Sequence, residues 1–89
     1  MILFHSTNCI PCKKMERLVA EVRGDYQPNL VFIDVITNDR ANWPLIQQAG
    51  VRTIPTSYFV HASGAGKRLV GAMSEEALRV ELSALLGGE

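Results

Sequence analysis

Two cysteines, Cys9 and Cys12, are the only cysteines of the chain, and two residues separate them. Thiolates are nucleophiles and metal ligands, and two thiols at this spacing can close into a disulfide and open again. Two thiolates fill only half of a tetrahedral zinc site, and the only imidazoles are His5 and His61. We therefore favour thiol–disulfide exchange over a metal site.

The residues around the cysteines predict a strand followed by a helix. Residues 1–5 form a short apolar run of strand length. Residues 10–23 have the spacing of an amphipathic helix, and Gly24 is a plausible stop. The predicted buried face has the spacing i, i+3, i+4 and i+7, and it consists of Met15, Leu18, Val19 and Val22. The two cysteines are therefore predicted at the N-terminus of a helix.

A position at the helix N-terminus gives the two cysteines different reactivity and different exposure to solvent. Unpaired N–H groups and the positive end of the helix dipole stabilise a thiolate and lower its pKa. Pro11 suits the first helical turn, and Lys13 adds positive potential near Cys9. Cys12 falls on the buried face, whereas Cys9 precedes the helix and stays open to solvent. We predict that Cys9 attacks a disulfide and that Cys12 resolves the mixed disulfide.

The rest of the chain alternates between strand and helix patterns. We predict strands over 30–36, 56–61 and 67–71, and helices over 42–49 and from Ser74 to Gly87-Gly88. The first two strands should be parallel, with a right-handed helical crossover, and the last two should form a hairpin. This order predicts an α/β fold with a four-stranded mixed sheet, β-α-β-α-β-β-α, and helices on both faces. We expect one domain over residues 1–89.

Three further expectations concern burial. Strand 30–36 is apolar on both faces apart from Asp34, which is typical of a parallel strand covered on both sides. Trp43, beside Pro44 at a helix start, is expected to be partly buried. The last helix should bury a leucine stripe, which consists of Leu78, Leu82, Leu85 and Leu86.

Composition excludes several classes of function. Nine basic and nine acidic residues give zero formal charge, which argues against nucleic acid or an anionic membrane as a partner. No apolar run approaches the length of a membrane span. The N-terminus lacks the basic start of a signal peptide, so we expect a cytoplasmic protein.

Three stretches of the chain resemble the thioredoxin family, and the resemblance runs from Met1 to about Leu86. They are Cys9-Ile10-Pro11-Cys12-Lys13, Gly50-Val51-Arg52-Thr53-Ile54-Pro55-Thr56 and Val70-Gly71-Ala72-Met73-Ser74. The resemblance implies a thioredoxin-like fold without the family's leading strand and helix, so that strand 30–36 lies at a sheet edge. It also implies a protein-disulfide reductase with no cofactor other than the redox-active Cys9–Cys12 pair.

The resemblance also implies partners. Protein disulfides would be the substrates, and a separate reductase would donate electrons, because the chain has no nucleotide-binding fingerprint. The Ile54–Pro55 bond should be cis and lie beside the cysteines, where the backbone of Ile54 pairs with an extended substrate. Gly71 should let the chain approach this surface closely. A monomer is expected, and an exposed edge strand makes a weak dimer a hypothesis.

The chain lacks the buried acid that would accept the proton of Cys12 in a typical thioredoxin. Leu3 stands where thioredoxins usually bury an aspartate, and residues 1–8 contain no acid. The nearest titratable candidate is His5, although we favour a His5 that faces solvent at the strand end. Asp34 has two interpretations of equal weight: it tunes Cys12, or it places a charge on a sheet edge that blocks pairing with a second molecule.

Three alternatives stay open at the level of sequence. A glutaredoxin-like enzyme would use glutathione, but this chain departs from the glutaredoxin pattern at Ile10-Pro11, Ile54-Pro55 and Gly71-Ala72-Met73-Ser74. A disulfide oxidant or isomerase would need an oxidising compartment, which the sequence does not indicate. A binding module of thioredoxin fold would hold a metal or a partner without catalysis.

Overall fold

The computed structural model describes residues 1–87. Its strands are β1 (Ile2–His5), β2 (Ile33–Ile36), β3 (Thr56–Val60) and β4 (Gly66–Val70). Its α-helices are α1 (Ile10–Val22), α2 (Trp43–Ala49) and α3 (Glu75–Leu86), and two short 3-10 helices span Arg23–Asp25 and Arg40–Asn42. The element order is the one predicted from the sequence.

The four strands form one mixed sheet in the order β2-β1-β3-β4. β1 is parallel to β2 and antiparallel to β3, and β3 is antiparallel to β4. On β1, Leu3 lies opposite Asp34 of β2 and Ser57 of β3. The predicted mixed sheet is therefore confirmed, with β1 as an inner strand that leads directly into the cysteines.

Helices cover both faces of the sheet. On one face, α1 and α3 enclose the core, whose buried members are Met1, Leu3, Met15, Val19, Val22, Tyr26, Phe59, Leu78 and Leu82. On the other face, the rings of Phe4 and Tyr58 meet edge to face at 5.7 Å. The Tyr58 hydroxyl donates to the carbonyl oxygen of Ala49 at 2.6 Å, which ties α2 to this second face.

Local signals fix the ends of the two later helices. Ser74 caps α3 by accepting from the N–H of Ala77 at 3.1 Å, and two glutamates in the first turn suit the helix dipole. α2 ends at Ala49, and its C-cap is Gly50, whose φ of 69° lies in the left-handed region that favours glycine. These ends agree with the turn and cap signals of the sequence.

The second strand differs from its prediction. β2 begins at Ile33, three residues later than expected, and Val35 is its only buried residue, while Ile33 is 49% exposed. The prediction of a strand buried on both faces is wrong. β2 lies at the sheet edge, where all of its residues except Val35 stay exposed. The apolar run misled because Leu30 and Phe32 pack against the core from a loop before the strand. The predicted edge position is confirmed.

Smaller corrections concern ends and burial. Gly24 lies within the 3-10 helix after α1, and β4 begins one residue earlier than predicted. Leu86 is 45% exposed because the inner face of α3 is set by Leu78 and Leu82, and Trp43 is 59% exposed instead of partly buried. α3 ends at Leu86 with Gly87 as its cap, whereas Gly88 lies outside the described residues.

Candidate functional site

Cys9 and Cys12 form a disulfide across the first turn of α1, with their Cα atoms 5.1 Å apart. Cys9 is the N-cap of the helix, and its Sγ accepts from the N–H of Cys12 at 3.2 Å. Pro11 occupies the first turn, where a missing N–H leaves no bond unmade. A thiolate on Cys9 would therefore face the positive end of α1 and a backbone donor.

The two sulfur-bearing residues differ in exposure. Cys12 is fully buried and shares the inner face of α1 with Met15, while Cys9 is half-buried. Between the cysteines, the side chain of Ile10 is 74% exposed, and Lys13 is exposed in the same turn. The predicted difference in exposure between the cysteines is confirmed.

Three segments meet at the sheet end where β1 leads to the cysteines. Thr56 is paired with Phe4 of β1 and with Val70 of β4. The residues just before Thr56 and just after Val70 therefore lie at this same end. The N–H of Gly71 donates to the carbonyl oxygen of Pro55 at 2.8 Å. Pro55 is buried, Ile54 is half-buried, and the peptide bond between them is cis.

Gly71 has a different reason to be glycine from the one expected. Its φ is +98°, a conformation that L side chains rarely adopt. A Cβ built at this position meets no atom within 4 Å. The backbone conformation, and not a lack of space for a side chain, is therefore what requires glycine here.

His5 contradicts the expectation of a solvent-facing residue. It is 5% exposed, because β1 has neighbours on both sides and α1 covers it. Its Nδ1 lies 3.4 Å from Oε2 of Glu16, and its Nε2 lies 3.4 Å from Oδ1 of Asp34. Both contacts are within ion-pair distance, but neither ring nitrogen has a partner of hydrogen-bond geometry among the described residues. The imidazole thus lies between two carboxylates on the buried face of β1.

Asp34 shows features of both interpretations left open above. It sits on the edge strand with its side chain 56% exposed, and the same carboxylate approaches the imidazole of His5. The edge-charge interpretation fits the exposure, and a link to the cysteines would act through His5.

Sequence reasoning missed a contact beside the cysteines. The Nδ2 of Asn38 donates to Oγ1 of Thr7 at 2.7 Å, and the N–H of Thr7 donates to Oδ1 of Asn38 at 3.4 Å. This pair fastens the loop after β2 to the residues before Cys9. An amide and a hydroxyl in two predicted loops gave no periodic signal.

Ser57 is a second residue that sequence reasoning missed. It is fully buried on β3, and its hydroxyl has no hydrogen-bond partner among residues 1–87. The only signal was a serine among the β-branched and aromatic residues of Thr56–Val60.

Two other kinds of site are absent from the part of the chain that the structure describes. No three His, Cys, Asp or Glu side chains within residues 1–87 are arranged to hold a metal ion. Over the same residues, no helix has both the length and the apolar character needed to cross a membrane.

A comparison with protein families supplies the deciding observation. A family model described as a thioredoxin-like domain matches residues 1–86. The chain belongs to the thioredoxin-like family. The resemblance inferred from the three sequence stretches is therefore confirmed.

Individual relatives of this thioredoxin-like protein are distant in sequence. It is 23% identical over 87 residues to thioredoxin 2 of Chlorobaculum tepidum, an alignment that covers 98% of this chain and 78% of the relative. A chloroplastic thioredoxin z superposes with a TM-score of 0.83 at 16% identity, over 98% of this chain and 77% of the other. A Plasmodium falciparum thioredoxin gives a TM-score of 0.75 at 24% identity, over 93% and 81%. These superpositions establish the thioredoxin fold.

Family and geometry together support one class of chemistry. A thioredoxin-like chain with its two cysteines joined in a disulfide at a helix N-terminus has the equipment of a thiol–disulfide oxidoreductase. Such a pair can pass two electrons to a disulfide or take two electrons from a dithiol, and its reduction potential relative to the partner decides which occurs.

Proposed function

We propose that the protein reduces disulfide bonds of protein substrates and that Cys9 and Cys12 act as attacking and resolving thiols. The observation that supports this assignment is the difference between the two sulfurs. Cys9 is half-buried at the N-cap, where its Sγ accepts an N–H, and Cys12 is fully buried one turn into α1. An external disulfide can reach Cys9, and only Cys9 can then reach Cys12.

The exchange proceeds in two displacements. The Cys9 thiolate attacks one sulfur of the substrate disulfide, and the other substrate sulfur leaves as a thiolate, giving a mixed disulfide. Cys12 then loses its proton and attacks Sγ of Cys9. The second substrate sulfur leaves, and the Cys9–Cys12 disulfide forms. Two electrons pass from the protein to the substrate, and an outside donor restores the dithiol.

The surface around the cysteines suits an extended polypeptide. Ile10 offers an exposed apolar side chain between the two cysteines. The backbone of half-buried Ile54, before Pro55 at the same sheet end, is proposed to pair with a substrate segment as an added strand would. Gly71, which donates to Pro55, holds this segment from the other side.

The remaining elements of the proposal concern partners and location. No cofactor is required beyond the Cys9–Cys12 disulfide itself. The electron donor is a separate reductase, because the chain lacks a nucleotide-binding fingerprint. We propose a cytoplasmic protein that works as a monomer, with pairing along the β2 edge as a weak secondary event. Neither nucleic acid nor a membrane is proposed as a partner.

A matched pair of variants tests the roles of the cysteines. Cys12→Ser should accumulate a stable mixed disulfide with a disulfide-bonded protein such as native insulin, because the thiol that resolves the mixed disulfide is missing. Cys9→Ser should form none, since its remaining thiol is buried. Non-reducing electrophoresis with mass spectrometry reads the adducts. Equal trapping by both variants would contradict the assignment.

The midpoint potential of the pair tests the direction of electron flow. We expect a value near roughly −270 mV, which is typical of a thioredoxin, when the protein is equilibrated in graded dithiol buffers. About 30 mV corresponds to a tenfold change in equilibrium constant for this two-electron couple. A value above about −200 mV would instead indicate the glutathione-dependent or oxidising alternative.

A further inference from the structure

The proposed exchange leaves the proton of Cys12 without a destination. Cys12 is fully buried, and a thiol must lose its proton before it attacks Cys9. Among residues 1–87 no aspartate or glutamate is buried, and Leu3 lies on the inner face of β1 without a titratable group. His5 is the one buried side chain of these residues, apart from the thiol, whose type titrates near neutral pH.

The buried polar atoms that lack hydrogen bonds gather on one face. Over the described residues they are Nδ1 and Nε2 of His5 and Oγ of Ser57. Leu3 and His5 alternate onto the same face of β1, and Ser57 lies opposite Leu3. His5 and Ser57 are therefore diagonal neighbours, a separation of about 7–8 Å that longer side chains can bridge. Unpartnered buried polar groups call for an explanation such as a catalytic role or a trapped water.

α1 covers this face, and Cys12 is one of the buried residues of that helix. Cys12, Met15 and Val19 share the inner face of the helix, and Met15 and Val19 pack in the core with Leu3. Glu16, whose carboxylate contacts His5, follows Cys12 by one helical turn, so their Cβ atoms are about 5–6 Å apart. Glu16 therefore connects the imidazole to the helical turn that follows the buried thiol.

A cleft leads from the imidazole to solvent. It encloses roughly 350 Å³ along the open edge of the sheet, and its lining includes His5, Glu16, Arg23 and Asp34. The carboxylates of Glu16 and Asp34 are partly exposed at 41% and 56%, so water reaches them while the imidazole stays buried. The two carboxylates face the imidazole from α1 and from β2, and the guanidinium of Arg23 lies on the rim of the same cleft.

We propose that His5 accepts the proton of the Cys12 thiol during resolution and releases it through this cleft, with Ser57 as a polar group on the same face. The S–H bond of Cys12 breaks, and an N–H bond forms on the imidazole. The Cys12 thiolate attacks Cys9 as described, and the imidazolium returns its proton to water in the cleft. His5 thus acts as a proton acceptor. This inference rests on the proposed exchange through Cys9 and Cys12.

Rapid mixing of the reduced protein with a chromogenic aromatic disulfide tests the proposal. The first equivalent of coloured thiolate reports the attack of Cys9, and the second reports resolution by Cys12. In His5→Gln the first phase should stay within about twofold of wild type, while the second slows by about 100-fold near pH 6, the lower range for a lost general base. Above about pH 9 the second phases should converge, because a thiol then ionises unaided.

Matched variants keep the outcome interpretable. His61→Gln removes the other imidazole, which contacts Ser63 in the β3–β4 turn at the far end of the sheet, and should leave both phases unchanged. If His5→Gln does not fold by circular dichroism, Glu16→Gln and Asp34→Asn provide the test. Each removes a carboxylate that is partly exposed and leaves His5 in place. Each should slow the second phase several-fold, because the imidazole loses one of the two groups that orient it, while the first phase stays within about twofold of wild type.

Distinct results separate the two proposals. If the wild type releases one equivalent only, exchange through the pair fails, and the proposed function falls with it. If the wild type releases two equivalents and His5→Gln has the same second-phase pH profile, only the proton route is overturned. A slowing by the same factor at every pH also overturns it, because that pattern reflects altered packing and not proton transfer.

Discussion

The two strands that flank β1 have opposite surroundings. β3 has a neighbour on each side, and Thr56, Ser57 and Phe59 are buried along its length. β2 has β1 alone, and only Val35 is buried. β1 therefore has a closed side, where β3 is itself paired with β4, and an open side, where β2 is the sheet edge. The closed side places Pro55 and Gly71 at the sheet end where β1 leads to the cysteines, whereas the open side carries the cleft that His5 lines.

This contrast shows how a small fold can provide both a fixed backbone for substrate binding and access of water for proton release. The segments proposed to hold a substrate need a fixed backbone, which β3 gains from two ladders of hydrogen bonds. A proton route needs contact with water, which a fully covered strand does not give. The same inner strand serves both, since His5 follows directly on Phe4, the partner of Thr56. Substitutions on the closed and open sides should therefore have unequal effects.

The largest effect is expected from the core. Phe59→Ala on β3 should lower the free energy of unfolding by about 3–5 kcal/mol, because it leaves a cavity beneath α3. Ile33→Ala on β2 is the matched control, and it should cost only about 1 kcal/mol since half of that side chain is already exposed. Urea unfolding followed by circular dichroism measures both. Equal losses would show that the two sides are equally packed.

A smaller effect is expected from the hydrogen bonds that tie α2 to the sheet. Tyr58→Phe removes the partly buried bond to the Ala49 carbonyl and should cost about 1 kcal/mol. On the open side, Asn42→Ala removes an exposed bond from Nδ2 to the Ile36 carbonyl, and its cost should stay below about 0.5 kcal/mol. Thermal unfolding at matched pH compares them. A larger loss in Asn42→Ala would reverse the proposed contrast.

The third substitution, at Asp34, should change the stability least and should mainly change the self-association of the protein. Asp34→Val removes the charge from the exposed edge strand, which also presents Ile33 and Ile36. Self-association should increase, because unprotected edges pair with other edges. Sedimentation at high concentration measures it. Glu21→Val, an equal change of charge on the exposed face of α1, should leave the protein as wild type, and a monomeric Asp34→Val would remove the edge-pairing hypothesis.

Much of this architecture follows from local sequence signals. The alternation of elements, the cap at Ser74 and the stop at Gly50 depend on neighbours within a few residues, and each was predictable. The unequal exposure of Cys9 and Cys12 followed from helical periodicity, because Cys12 lies in phase with Met15 and Val19. The family likewise was evident from motifs of five to seven residues.

The errors arose where burial depends on a distant segment. The run Leu30–Ile36 is apolar except at Asp34, but its first part packs as a loop and its last part lies at an edge. The burial of His5 depends on Glu16 of α1 and Asp34 of β2, which are 11 and 29 residues away. Periodicity within a strand reports which face a side chain occupies but not whether another element covers that face.

The position of Cys9 as the cap of α1 links electron transfer to the folding of the first helical turn. In the reduced state, a thiolate at this cap would strengthen the turn, and folding and reduction thus form two legs of one thermodynamic cycle. Whatever stabilises the capped, reduced form relative to the oxidised form makes the pair a better electron acceptor. The redox poise of the protein is accordingly set in part by the backbone amides of a single turn.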